Sequence, residues 1–140
     1  MNLVVDASVL SELLLRSTVG AKAESIMKDY EGRLHVPELV IPEVVSVVRR
    51  LRRAETINIV EAEFILFSLG SFPAQRWPMD GLVPRAWELR DSMSAYDAMY
   101  VSLAEVLGAD LLTMDQRLAQ TVKSVARCSI VLINDREDLP

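Results

Sequence analysis

The stretch from Ser94 to Asp115, "SAYDAMYVSLAEVLGADLLTMD", contains both element types that decide the fold. Its first part spaces apolar residues as a helix does and ends at Gly108, a residue suited to a helix C-terminus. Its second part, "ADLLTMD", is a continuous apolar run of the kind found in strands buried on both faces. A buried helix leading directly into a buried strand predicts an α/β fold with a parallel sheet.

The remaining segments continue this alternation of strands and helices. The short link between the third and fourth predicted helices favours an antiparallel helical hairpin. Segment 73–79, "PAQRWPM", is ambiguous between a loop and an edge strand, because proline cannot donate to a central ladder. Further strands are predicted at 2–7, 34–37 and 129–135, and further helices at 8–17, 20–30, 38–54, 58–72, 84–93 and 116–125.

Length and composition restrict the class of protein. A chain of 140 residues, 51% hydrophobic and 25% charged, predicts a single globular domain over residues 1–140. The net charge of −5 counts against broad non-specific binding to nucleic acid, although acids that bind divalent cations would also produce it. One cysteine, no signal peptide and no membrane-length apolar run lead us to expect a cytoplasmic protein.

Two acids follow predicted strands, and a third begins a helix. Asp6 and Asp115 each end a strand, so both would reach one crevice if those strands were neighbours in a parallel sheet. Each also directly precedes a helix and could serve only as its N-cap. Asp97 has a similar alternative, because "SAYD" matches a capping box in which its carboxylate would accept the amide of Ser94.

Glu43 is harder to explain as a structural residue. It lies on a mostly apolar helix face, and Arg50 is two turns away, about 10 Å along the axis. Glu43 therefore needs another partner. Four acids in one crevice would repel each other, and oxygen ligands without clustered His or Cys favour Mg²⁺ or Mn²⁺ over zinc. Ser8 and Thr113 could supply supporting hydroxyl groups.

With the four acids in place, the chain resembles the PIN-domain nucleases, and among them the VapC-type toxins. The matching pieces are "VVDAS", "PEVVSVVRRL", "YDAMYVSLAEVLGADLLTMDQRL" and a terminal strand, which together cover essentially the whole chain. The resemblance implies a Rossmann-like arrangement with a five-stranded parallel sheet between helices. It also implies an acidic pocket of Asp6, Glu43, Asp97 and Asp115, in which Asp6 and Asp97 are the surest Mg²⁺ ligands. Glu38 is a rival for the second position, but "EVVSVVRR" after Glu43 matches the family's helix.

The activity implied by the resemblance is Mg²⁺-dependent hydrolysis of RNA phosphodiester bonds. Such toxins typically form homodimers and are held inactive by a cognate antitoxin, and the apolar hairpin with Ile65, Leu66, Phe67 and Leu69 is a candidate partner surface. Arg50 shares the face of Glu43 and is the first candidate for contacting an RNA phosphate, ahead of Arg85 and Arg117.

Two other functions remain open at this point. A phosphatase of the haloacid dehalogenase type needs an Asp-x-Asp pair after the first strand, where this chain has Ser8. A non-catalytic PIN-like scaffold would have no reason to keep four acids together. Among the remaining residues, His35 is expected to be structural, and Trp77 and Trp87 are expected to pack or meet a partner more readily than to stack on bases.

Overall fold

A computed structural model describes residues 1–134. The strands are β1 (Leu3–Val5), β2 (Leu34–Pro37), β3 (Gln75–Trp77), β4 (Asp110–Thr113) and β5 (Ile130–Leu132). The helices are α1 (Ala7–Leu14), α2 (Thr18–Met27), α3 (Val40–Arg53), α4 (Ile59–Ser71), α5 (Val83–Glu88), α6 (Ala95–Leu107) and α7 (Gln116–Val125). Short 3₁₀ turns follow α2 at Lys28–Tyr30 and precede α5 at Asp80–Leu82.

The five strands form one parallel sheet in the order β3-β2-β1-β4-β5. The chain moves outward from β1 through β2 to β3, and then returns to the other side of β1 with β4. The strand order therefore reverses between β1 and β4, and open parallel sheets bind their ligands in the crevice at such a point. This topology confirms the predicted parallel sheet and the predicted neighbourhood of the strands that end in Asp6 and Asp115.

The sheet is covered by helices, and its central strands are fully buried. Leu3, Val4, Val5, Leu111 and Leu112 have no exposed surface. Helix α6 packs against β1, β2 and β4 and buries Ala98, Val101 and Ala104 completely. The prediction that this helix is buried is confirmed, and Asp97 therefore begins its helix beside the centre of the sheet.

The predicted ends of two helices were wrong. The third helix was predicted from Glu38, but Glu38 and Leu39 form a turn and α3 begins at Val40. Pro42 then lies in the first turn, where its missing N–H costs no helical hydrogen bond. The fifth helix was predicted over 84–93, yet α5 stops at Glu88 because the chain must turn before Ser94 caps α6.

The structure also decides one open alternative and corrects part of the hairpin surface. Segment 73–79, predicted as either a loop or an edge strand, contains the edge strand 75–77, with Pro73 and Pro78 outside it. Of the hairpin residues expected at a partner surface, Ile65 and Leu69 are in the core, whereas Phe67 is 75% exposed. The other exposed large apolar residues of α4 are Ile59, Val60 and Phe64. The predicted last strand included Asp135, which lies outside the described residues.

Over residues 1–134, every helix is too short or too polar to cross a lipid bilayer.

Candidate active site

The candidate site lies where the strand order reverses, at the carboxyl ends of β1 and β4. Asp6 directly follows β1, and its backbone amide donates to the carbonyl of Leu112 in β4 at 3.2 Å. Asp115 lies two residues beyond the end of β4. The parallel pairing of Val5 with Leu112 therefore brings both acids to the same edge of the sheet.

Asp6 is the most buried of the four acids, with 9% of its surface exposed. One carboxylate oxygen accepts the amide of Val9 at 2.9 Å and the hydroxyl of Ser8 at 2.8 Å, so Asp6 is the N-cap of α1. The other oxygen accepts the hydroxyl of Thr113 from β4. The predicted cap is confirmed, and the two hydroxyl residues named from the sequence both hold this carboxylate.

Thr113 links the two acids that follow β1 and β4. It is fully buried, and while its hydroxyl donates to Asp6 it accepts the backbone amide of Asp115 at 3.1 Å. Asp115 in turn caps α7, because its carboxylate accepts the amide of Leu118 at 3.0 Å. The Asp115 side chain is solvent-exposed, so its second oxygen can meet a ligand from outside.

Glu43 finds the partner that the sequence required of it. The hydroxyl of Tyr100 in α6 donates to the Glu43 carboxylate at 2.7 Å. Tyr100 is 3% exposed, and burial together with this bond raises its pKa far above the ordinary value. The hydroxyl therefore stays protonated and remains a donor, which holds one Glu43 oxygen in place.

Asp97 lies at the start of α6, half-buried. The hydroxyl of Ser94 accepts the amide of Asp97 at 3.1 Å, so Ser94 is the N-cap of α6. The capping box predicted for "SAYD" is only half formed, because within residues 1–134 the Asp97 carboxylate accepts no bond from the amide of Ser94. The carboxylate is consequently available for another interaction.

Burial, together with the charges of neighbouring acids, raises the pKa values of Asp6, Glu43 and Asp97. Burial raises the pKa of Asp6 above its ordinary value, and the charge of Asp97 adds to this rise. Burial also raises the pKa of Glu43, to which the charges of Asp6 and Asp97 both contribute. The pKa of Asp97 is raised by burial and then by the charge of Asp115. All four acids thus belong to one electrostatic neighbourhood, as expected from their positions in the chain.

The donor set fits a hard divalent cation. Its ligating atoms are carboxylate oxygens, which Mg²⁺ and Mn²⁺ prefer. A bound cation would offset the cost of burying the charged carboxylates, which is the main reason that three pKa values are raised, and would also reduce their mutual repulsion. In the part of the chain that is described, no three His, Cys, Asp or Glu side chains form a ready-made cage. The acids surround the crevice without meeting at one point, an arrangement suited to Mg²⁺, which usually keeps several water ligands.

Arg50 lines two of the clefts that border the acids. The larger cleft, about 640 Å³, contains Glu43, Ser8, Arg49 and Arg50 among its lining residues. A smaller one, about 310 Å³, includes Ser8, Arg50 and Asp115. Arg50 is exposed, and its positive charge lies beside both the cleft that contains Glu43 and the cleft that contains Asp115.

Other residues singled out in the sequence have structural roles. Arg85 donates to Glu105 at 2.8 Å and to the carbonyl of Val125 at 3.0 Å, so it joins α5 to α6 and α7. The indole N–H of Trp77 donates to Nδ1 of His35 at 3.0 Å, and Nε2 of His35 meets Asn2 Oδ1 at 3.1 Å. Burial lowers the pKa of His35, and the neutral ring serves as a connector between β2, β3 and the start of β1.

Tyr100 was not recognised from the sequence as a residue of the site. Its ring was assigned to the apolar face of α6, and the hydroxyl was left without a function. A signal was present, because Tyr100 follows Asp97 by three residues and so lies one helical turn along the same face. A second tyrosine, Tyr96, was likewise not recognised from the sequence, and it lines the larger cleft.

Comparisons of the sequence with known proteins all indicate the same family. A sequence profile of the PIN domain matches residues 3–124. Ribonuclease VapC9 of Mycobacterium tuberculosis is 38% identical over 131 residues, covering 94% of this chain and 98% of that protein. Ribonuclease VapC12 of the same species is 34% identical over 120 residues, covering 85% and 91%.

Solved structures show the same fold at lower identity. PAE2754 from Pyrobaculum aerophilum superposes with a TM-score of 0.67 at 24% identity, covering 93% of this chain and 83% of the other. VapBC2 from Rickettsia felis, solved with a DNA fragment from its promoter, gives a TM-score of 0.68 at 12% identity and covers 96% and 100%.

Proposed function

Because the chain belongs to the PIN-domain family, and within it to the VapC group, we propose that it is a divalent-metal-dependent endoribonuclease. The observation that carries this proposal is the set of four acids at the reversal point of the sheet, three of which have raised pKa values. The printed names of its relatives, which are called ribonucleases, support RNA as the substrate.

The four acids would have different roles in the reaction, which follow from their different surroundings. Asp6 and Asp97 would hold Mg²⁺ or Mn²⁺, and Glu43 and Asp115 would complete the set directly or through water. A bound cation would supply Lewis-acid activation of water and would offset charge on the leaving oxygen. Glu43 or Asp115 would accept the proton of the attacking water.

The surrounding groups orient these acids and the substrate. Ser8 and Thr113 hold both oxygens of Asp6, which limits how that carboxylate can turn. Arg50 would contact an RNA phosphate beside the acids, because it lines the clefts on both the Glu43 side and the Asp115 side. Arg117 lines a further cleft with Asp97 and Asp115 and is a secondary candidate for a phosphate contact.

We also propose that the protein is the toxin of a toxin–antitoxin pair, neutralised by a cognate antitoxin protein, and that it forms a homodimer. The exposed apolar residues of α4 support a protein partner, since large exposed apolar patches often mark interaction sites. The solved VapBC2 complex supports the pairing of such a fold with an antitoxin.

Incubation of the purified protein with total RNA tests the main proposal. We expect cleavage in Mg²⁺ and none in EDTA, and mapping of the cut ends identifies the substrate. A non-catalytic scaffold would leave the RNA intact under both conditions. A phosphatase would instead release phosphate from p-nitrophenyl phosphate without cutting RNA, although Ser8 at the second acid position disfavours it.

Substitution Tyr100→Phe is expected to weaken Mn²⁺ binding by roughly 10- to 100-fold, as removal of an outer partner of a metal ligand commonly does. Without the hydroxyl, the Glu43 carboxylate loses the bond that holds it. Titration calorimetry with Mn²⁺ measures this effect without any RNA.

Tyr30→Phe is the matched control for this substitution. Tyr30 is also buried, and its hydroxyl donates to Asp110 at 2.9 Å, at the start of β4 and hence at the opposite edge of the sheet. Both variants lose one partly buried hydrogen bond to a carboxylate, which costs roughly 1 kcal/mol of stability. Equal Mn²⁺ affinity in the two variants would show that Tyr100 does not position Glu43 for metal binding.

A further inference from the structure

We propose that Tyr96 and the larger cleft form a stacking subsite for one unpaired base of an RNA single strand, next to the scissile phosphate. This inference rests on the proposed nuclease function and adds to it the place where one base of the substrate binds. Its three parts are an aromatic side chain without a structural role, a cleft large enough for a nucleotide, and positive charge at the border of that cleft.

Tyr96 differs from the other two tyrosines of the chain. Tyr30 and Tyr100 are 7% and 3% exposed, and each hydroxyl donates to a carboxylate. Tyr96 is 62% exposed, and within residues 1–134 its hydroxyl has no hydrogen-bond partner. Packing therefore does not explain an aromatic residue at this position, one residue before Asp97.

The cleft beside Tyr96 has suitable size and chemistry. Its volume of about 640 Å³ lies within the range of about 300–1,000 Å³ that is typical of ligand pockets. Apolar surface comes from Leu39, Pro42 and Val47, which can cover the face or edge of a base. Glu43 also lines the cleft, so a nucleotide placed there lies directly beside the acids.

The charges around the cleft favour a nucleic acid strand over an uncharged ligand. Arg49 and Arg50 line it and are exposed, whereas Glu43 is the only acid among its described lining residues. Arginines would meet backbone phosphates while the phenol ring of Tyr96 stacks on a base, the combination used by proteins that bind single strands. A base within an intact duplex has both faces covered by its neighbours, so the subsite selects unpaired RNA.

The test uses the full chain in EDTA, so that RNA binds without being cut. The probes are short single-stranded RNAs with the fluorescent base 2-aminopurine at successive positions, together with versions that lack one base. Tyr96→Ala is expected to lower affinity roughly 5- to 150-fold, the range for loss of one stacking contact, and to abolish quenching at one probe position. Tyr96→Phe keeps the ring and is expected to bind and quench as wild type does.

Trp87→Ala is the control variant, because Trp87 is a 66% exposed aromatic residue on α5 outside the clefts that border the acids. Unchanged affinity in this variant, with loss in Tyr96→Ala, supports the subsite. If the wild type cuts RNA in Mg²⁺ but Tyr96→Ala binds RNA equally well, the subsite is wrong and the nuclease proposal stands. If the wild type neither binds nor cuts RNA, both proposals fail. A Tyr96→Ala variant that loses only a protein partner would assign the cleft to that partner instead.

Discussion

Asp6→Asn and Asp97→Asn variants are each expected to lose RNA cleavage by more than about 100-fold, since even loss of an outer partner of a metal ligand costs roughly 10–100-fold. Both substitutions keep the size of the side chain and remove the negative charge. For Asp6, an asparagine oxygen can still accept the amide of Val9, so α1 keeps its cap. Cleavage of a mapped RNA in Mg²⁺, measured under single-turnover conditions, checks this expectation.

Stability measurements separate loss of chemistry from loss of fold. Asp6 is buried and its pKa is raised, so its charge disfavours folding when no metal is bound. The metal-free Asp6→Asn protein is therefore expected to unfold at a temperature no lower than that of the wild type. Asp29→Asn, an exposed aspartate in the 3₁₀ turn after α2, is the control and should cleave as wild type does. Cleavage at the wild-type rate by either site variant would exclude the assigned roles.

Added Mg²⁺ is expected to stabilise the wild type more strongly at pH 7 than at about pH 4, the ordinary pKa of these carboxyl groups in the unfolded chain. A carboxyl group with a raised folded pKa binds more protons in the folded than in the unfolded state. Its contribution is complete below the unfolded pKa, about 4, and is lost as the pH rises through the folded value. The pKa values of Asp6, Glu43 and Asp97 are all raised in the folded protein. Their ionisation therefore lowers the stability of the metal-free protein as the pH rises toward neutral.

The cation reverses this loss because it binds the ionised acids. At 100 times its Kd, a ligand that binds only the folded protein adds about 2.7 kcal/mol. Thermal unfolding with Mg²⁺ or EDTA at several pH values measures the difference, and Asp6→Asn is the variant in which it should nearly vanish. An equal Mg²⁺ effect at both pH values, or in both proteins, would argue against a metal site at these acids.

The spacing of apolar residues and the capping residues predicted the fold well, because both kinds of signal indicate the same helices and strands. The continuous apolar strand before Asp115 occurs as expected. The helix of 116–125 and the buried α6 also occur as expected, because each combines helical periodicity with an N-cap. The helix ends were predicted less well. Whether α3 begins at Glu38 or Val40 depends on how the chain leaves β2, where the Glu38 amide donates to the carbonyl of Trp77. That is a contact between distant residues, which periodicity does not contain.

The candidate site was predictable in its residues and not in its connections. The positions of Asp6 and Asp115 follow from strand ends, and the need of Glu43 for a partner follows from its apolar helix face. That Tyr100 is this partner depends on how α3 and α6 pack, because the two residues are 57 positions apart. The predicted surface on α4 mixed exposed Phe67 with buried Ile65 and Leu69 for a related reason, since a helix that is apolar on most sides does not reveal which side faces the core.

The double duty of Asp6 has a consequence for how such proteins can change over generations. One carboxylate both begins α1 and carries the charge at the sheet edge, and only the second task needs that charge. Under the role proposed for Asp6, a protein with asparagine at this position is expected to fold, to lack nuclease activity and to keep its other surfaces. Such a lineage could therefore lose nuclease activity by a single substitution without losing the fold. The product would be an inactive protein that still binds its partners.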